Sequence, residues 1–206
     1  MLFNTLALIS LLIIITLLRR LVSIYPSLLA CLIRWKESVN LEMSVKLSRD
    51  RDILAVVLII PFCLTAFHWG LYHPSFIENF GQTAGLAITI CIFIIYILLR
   101  WALTSLCRSK KSRKSAYSTS VAAGRTFFII LTLLLMAIGG ILSFIGVDHQ
   151  TIKDAMIWVS GAIYLLFIFR RTQIFASSYN FFTVFLYLCA LEIIPTGVLV
   201  TSAMIL

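Results

Sequence analysis

The sequence predicts an all-α polytopic membrane protein with about six transmembrane helices and one or two interfacial helices on the cytoplasmic side. Three observations predict it. Of 206 residues, 61% are apolar and 12% charged, against about 45–50% and about 25% in a soluble domain. Six apolar runs recur along the chain, most of them long enough as helix to cross a hydrocarbon core of ~30 Å. The basic residues crowd into alternate connections between those runs. A soluble fold of this size cannot bury so much apolar surface. A soluble enzyme, a disordered chain and a secreted disulfide scaffold are therefore excluded.

The runs are 2–18, 53–71, 83–99, 126–145, 155–169 and 181–205, within one integral membrane domain, 1–206. Each reads as helix, because backbone exposed to lipid must satisfy its own hydrogen bonds. None alternates apolar and polar residues as a barrel strand does. The first run lacks a basic segment before it and a small-residue cleavage site after it, so it is expected to stay as a span rather than be removed as a leader. The fifth is the shortest and relies on Trp158, Tyr164 and its flanks to reach both interfaces.

Between the first two spans, 19–52 reads as a cytoplasmic amphipathic segment. Pro26 is expected to interrupt any helix running on from the first span. Ser27 can cap a new one, whose Leu28, Leu29, Leu32, Ile33 and Trp35 are apolar and whose Arg34 and Lys36 are basic. That pattern suits a helix lying in the interface. Val39, Leu41, Met43, Val45 and Leu47 then alternate with polar residues, a strand period. A lone strand has no partner here, so a second short surface helix or an irregular docked segment is expected.

Topology follows from the charges. Segments 19–52 and 100–125 hold seven Lys/Arg each and 170–180 holds two, whereas 72–82 holds none and 146–154 only Lys153. The positive-inside rule makes the rich side cytoplasmic and places both termini outside, in a bacterial inner membrane. The run from Arg108 to Ser115 reads as a solvated, topology-fixing part of the basic loop 100–125 that touches lipid phosphates. The net charge of +9 is accounted for by this asymmetry, so the expected partners are the bilayer and a membrane-protein partner or a second copy, with no nucleic acid.

Cys31, Cys63, Cys91, Cys107 and Cys189 form no CxxC pair and read as packing residues. Gly139-Gly140 and Ser160-Gly161 read as small patches for close helix packing. Trp35, Trp69, Tyr72, Trp101 and Tyr179 read as interface anchors. No metalloprotease, nucleophile-elbow, phosphate-loop or dinucleotide motif is present. No catalytic, cofactor-binding or metal residue is assigned, and the cofactor stays unknown.

Glu192 is the most informative residue. It falls mid-span, and an ionised carboxylate at that depth costs several kcal/mol unless it faces protein or water. Cys189 and Thr196 share its helix face. Pro195 cannot donate to the carbonyl of Leu191, so a kink is expected one turn beyond the carboxylate. Three roles fit: a protonated carboxyl hydrogen-bonded across the bundle, a proton or cation site, or a polar contact with a partner subunit. Candidate companions lie in the second span, where Pro61 is expected to kink the helix and Thr65 sits one turn from His68. His68, His73 and His149, with Glu78, Asp148 and Asp154, fall at or near the outer face, but their spacing matches no metal motif.

The run Cys189-Ala190-Leu191-Glu192-Ile193-Ile194-Pro195, with the Tyr25-Pro26 step after the first span, resembles a family of multi-pass inner-membrane proteins of Bacteroidota. That family is classed as a domain of unknown function and carries a C-terminal Cys-x-x-Glu-Ile-x-Pro signature. The resemblance extends from the first span to Pro195. It implies an inner-membrane address and no particular activity. The leading functional expectation is a non-enzymatic membrane component, a subunit or assembly factor of a cell-envelope complex. The rival is a small proton- or cation-coupled transporter using the buried carboxylate. A third reading is a membrane-embedded enzyme acting on a lipidic substrate.

Overall fold

The computed structural model describes residues 2–72, 81–106, 114–176 and 180–205, and every regular element in them is helical. In chain order these are α1 (Leu2–Ile33), α2 (Trp35–Met43), α3 (Val45–Val57), α4 (Ile59–His68), α5 (Gln82–Leu106), α6 (Lys114–Ile145), α7 (His149–Ala176) and α8 (Phe181–Leu188). A single π-helical turn (Cys189–Ile193) then leads into α9 (Ile194–Ile205). Six stretches among the described residues are long and apolar enough to cross a membrane: Leu12–Leu32, Val45–His68, Thr83–Ser105, Ser118–Ile145, His149–Ala176 and Val184–Ser202. The protein is an all-α polytopic membrane protein.

The segment 19–52 differs from its sequence reading. Pro26 lies inside α1 and does not end it. Proline removes one helical hydrogen bond, but Ile24, Leu28 and Cys31 form a buried stripe on either side of it, and that packing holds the helix through the gap. Ser27 therefore starts no new helix. The alternating stretch 39–47 is helical too, broken only at Ser44, whose backbone is extended (φ −87°, ψ 105°). Leu41 of that stretch is buried. Helices satisfy their own backbone, which a partnerless strand cannot do.

The long helix α6 runs through the centre. Ile129 and Ile130 pack against Ile24 and Leu28 of α1 and against Leu54, Ala55 and Leu58 around α3. Further along, Leu135 meets Trp69, Ile152 and Met156. Gly139 makes that approach possible. A Cβ there would stand 2.6 Å from Met156 Cε and 2.8 Å from Trp69 Nε1, whereas one on Gly140 would meet nothing within 4 Å. Close contact of this kind drives helix association in lipid, where apolar burial alone gives little.

Trp69 and Tyr72 are thus not interface anchors: both are buried, Tyr72 sharing a 3.0 Å hydrogen bond with Ser202. Trp101 is exposed. The run 107–113, which holds Cys107 and most of the basic patch, lies outside the described residues, as do His73, Glu78 and Tyr179.

The end of the bundle that carries the basic segments is fastened by ion pairs. Arg51, only 1% exposed, donates to Glu42 Oε2 at 2.9 Å and to Asp52 Oδ1 at 2.7 Å. Arg125 of α6 pairs with Asp52 Oδ2, and Ser118 donates to Glu42 Oε1 at 2.9 Å. Arg20 of α1 reaches Asp50 at 3.4 Å. Arg170 of α7 donates through Nε and Nη2 to the carbonyl of Leu32, at 3.1 and 2.9 Å. A cation on the last carbonyls of a helix satisfies groups that the helix cannot.

Candidate functional site

The last span bends around proline. The amide of Ile194 bonds back to the carbonyl of Cys189, five residues away, and opens the π turn Cys189–Ile193. Pro195 follows directly, and its missing N–H and bulky ring disfavour an ordinary α turn at this point. Single π turns recur at functional sites. This one carries Glu192, which is 1% exposed.

Two arginines from two other helices converge on one oxygen of Glu192. Arg100 of α5 donates through Nη2 to Oε1 at 2.6 Å, and Arg171 of α7 contacts the same Oε1 through Nη1. The arrangement is that of a buried ion pair, not of a neutral carboxyl bonded to a neutral partner. Arginine carries its charge at any physiological pH. Arg171 is 3% exposed and Arg100 30% exposed.

The surroundings hold both guanidiniums in place. Arg171 Nε donates to Ser120 Oγ of α6 at 2.7 Å. Arg171 also lies against the rings of Phe167 and Phe175, and Arg100 against Phe167. Gly124 of α6 leaves room for Arg100: a Cβ there would stand 3.3 Å from its Nη2. Tyr164 of α7 donates its hydroxyl to the backbone carbonyl of Glu192 at 3.2 Å. One turn on, Thr196 and Tyr96 of α5 share a 3.0 Å hydrogen bond. Glu192 Oε2 has no hydrogen-bond partner among the described residues. Leaving a buried charged oxygen unpaired is costly, so this oxygen marks the place where the network is incomplete.

Of the residues singled out in the sequence, the structure joins Glu192 and Thr196 to this polar seam and puts Cys189, a free thiol, at the start of the π turn. It places Thr65 and His68 elsewhere. Thr65 donates to the carbonyl of Pro61 in its own helix, and His68 packs on Trp69. His149 approaches the carbonyl of His68 at 3.4 Å. Tyr72, just beyond, meets Ser202, which lies ten residues past Glu192, about 15 Å along the helix. The second span itself is interrupted at Leu58, three residues before Pro61. Among the described residues no group of three His, Cys, Asp or Glu side chains could hold a metal ion.

Arg100, Arg171, Ser120, Tyr96 and Tyr164 were not identified as site residues from the sequence. Both arginines stand just past the end of an apolar run, Arg171 behind Arg170, and read there as topology signals. The signal that finds them is the lone mid-span carboxylate, which demands a counter-charge from another helix.

The chain belongs to the family described as Domain of unknown function (DUF4271), whose match covers residues 4–202. No curated protein and no solved structure matches it.

Proposed function

We propose that the protein is a non-enzymatic integral component of the bacterial inner membrane, a subunit or assembly factor of a cell-envelope complex. The observation that carries this reading is how its internal charge is used. Glu192 ties the last span to α5 and α7 through Arg100 and Arg171, and the acids of α2 and α3 tie those helices to α6. Charges committed to holding helices together suit a scaffold. The chain is one integral domain, 1–206, with the basic end in the cytoplasm and both termini outside. Sixteen of the 17 Lys/Arg fall in segments assigned to that side, which supports the orientation. The Cys189-to-Pro195 signature supports a place among Bacteroidota inner-membrane proteins.

Tagged protein drawn from native membranes in mild detergent is expected to bring down a stoichiometric membrane partner, identified by mass spectrometry. A clean monomer or homo-oligomer overturns the subunit reading. Orientation is tested with a membrane-impermeant thiol label on Ser115→Cys and Asn79→Cys in a cysteine-free background. Asn79→Cys is expected to label in intact cells. Labelling of Ser115→Cys from outside overturns the assignment.

A second reading, a small proton- or cation-coupled transporter, is favoured by one observation: Glu192 Oε2, inside a broken span, has no partner among the described residues. The third, an enzyme acting on lipid, has no such observation behind it.

A further inference from the structure

We propose that the groove between α1 and α3, at the basic end of the bundle, binds one anionic phospholipid, with its phosphate among Arg20, Lys46 and Arg49 and an acyl chain along Ile53 and Val56. The inference is independent of the subunit reading. It begins with spacing on α3. Lys46, Arg49, Ile53 and Val56 recur at intervals of three and four residues, so they share one helix face. Ile60, just beyond the break at Leu58, continues the stripe. The stripe turns from cationic to apolar along the candidate span Val45–His68. Lys46 and Arg49 are exposed, as are Val56 at 67% and Ile60 at 37%. From Arg49 to Ile60 the helix runs about 16 Å, close to one leaflet of a hydrocarbon core of ~30 Å.

Two cavities meet along this stripe. One, of about 530 Å³, is lined by Arg20, Val45, Lys46, Arg49, Asp50 and Ile53. The other, of about 700 Å³, shares Val45, Arg49 and Ile53 with it and extends to Val56 and Val57. Lys46 and Arg49 make no ion pair or hydrogen bond among the described residues. The acids around them are engaged elsewhere. Asp50 pairs with Arg20 at 3.4 Å, Glu42 and Asp52 with Arg51 and Arg125, and Glu37 with Asn40. Glu78, which lies outside the described residues, follows the opposite end of the span Val45–His68 in the chain.

The chemistry of the groove selects its occupant. Cations at headgroup level draw anionic lipid, the guanidinium of Arg49 as a fork that fits phosphate and the ammonium of Lys46 as a point charge. Directly deeper, Ile53 and Val56 offer an apolar wall where an acyl chain begins. Met43 and Val45, on either side of the extended Ser44, are 78% and 83% exposed. Apolar residues standing out beside cations are the mark of a segment seated in the interface. An acidic peptide from the aqueous side answers the cations but leaves Val56 and Ile60 unused. A phospholipid answers both. Charge alone attracts such lipids to any basic surface, whereas this groove has walls from two helices and so holds one lipid in one place.

The full chain in neutral detergent is titrated with phosphatidylglycerol, with phosphatidylcholine and with glycerol phosphate, a headgroup without chains. Native mass spectrometry counts the lipid retained, and thermal unfolding reads stabilisation. One phosphatidylglycerol is expected to be held saturably and to raise the unfolding temperature, with little effect from the other two. Lys46→Gln combined with Arg49→Gln is expected to weaken phosphatidylglycerol binding about tenfold. Lys110→Gln combined with Lys111→Gln removes the same charge from the basic loop and is expected to weaken it less than about twofold. Equal losses in the two pairs, or no loss in the first, overturn the proposal. Glycerol phosphate acting as well as phosphatidylglycerol also overturns it, because the site then needs no acyl chain. If the Lys46 and Arg49 variant does not fold, the unaltered chain decides, and phosphatidylglycerol held no more tightly than phosphatidylcholine overturns the proposal.

Discussion

Two ion-pair clusters in this bundle are built from the same parts and end differently. At the basic end, Asp52 gives one oxygen to Arg51 and the other to Arg125, and Glu42 gives one to Arg51 and the other to Ser118. All four oxygens of these two carboxyls are used. Deeper in, Glu192 receives two arginines on one oxygen and, among the described residues, nothing on the other. The first cluster is closed and balanced. The second leaves one buried carboxyl oxygen unbonded among the described residues. A satisfied network fastens helices, whereas a buried polar group left unbonded costs stability.

The largest test of that contrast is Arg171→Met. It leaves a fully buried carboxylate with one partner and is expected to cost about 3–5 kcal/mol, read as thermal unfolding in detergent. Adding Glu192→Leu is expected to restore at least half of the loss, because the buried charge goes with its partner. A double variant as unstable as the single one breaks the comparison.

Arg51→Met is expected to cost less, about 2 kcal/mol. Its carboxylates are partly exposed and keep Arg125 and Ser118 as partners. A loss equal to that of Arg171→Met means that the two clusters do not differ in kind. Tyr164→Phe removes one hydrogen bond to the Glu192 carbonyl and is expected to cost about 1 kcal/mol. A neutral result means that this bond does not hold the π turn. Arg125→Ala is the smallest change. That pair is 44% and 39% exposed, so a loss below about 1 kcal/mol is expected, fading further at high salt. A loss above 2 kcal/mol makes Arg125 part of the fastening core.

Glu192 was legible as a site because a carboxylate amid apolar residues is costly wherever the helix goes. Its partners were not. Arg100 and Arg171 stand 92 and 21 residues away in the chain, at the ends of apolar runs where basic residues are ordinary. His68 and Thr65 attracted attention because they are polar in an apolar span, yet they lie toward the other end of the bundle. Pro26 misled for a related reason: a missing hydrogen bond is local, while the buried stripe of Ile24, Leu28 and Cys31 that offsets it depends on what packs there.

The sequence by itself determined the class of the molecule. Long apolar runs must become helices in lipid, since the backbone has no other source of hydrogen bonds. It also determined that one carboxylate would need company. Only the tertiary structure decided which charges meet. Helix periodicity assigns each residue a face, but the identity of the neighbour, the depth at which two helices touch and the oxygen left over depend on packing between helices distant in sequence. That packing made Arg171 a partner of Glu192 and left Oε2 without one among the described residues.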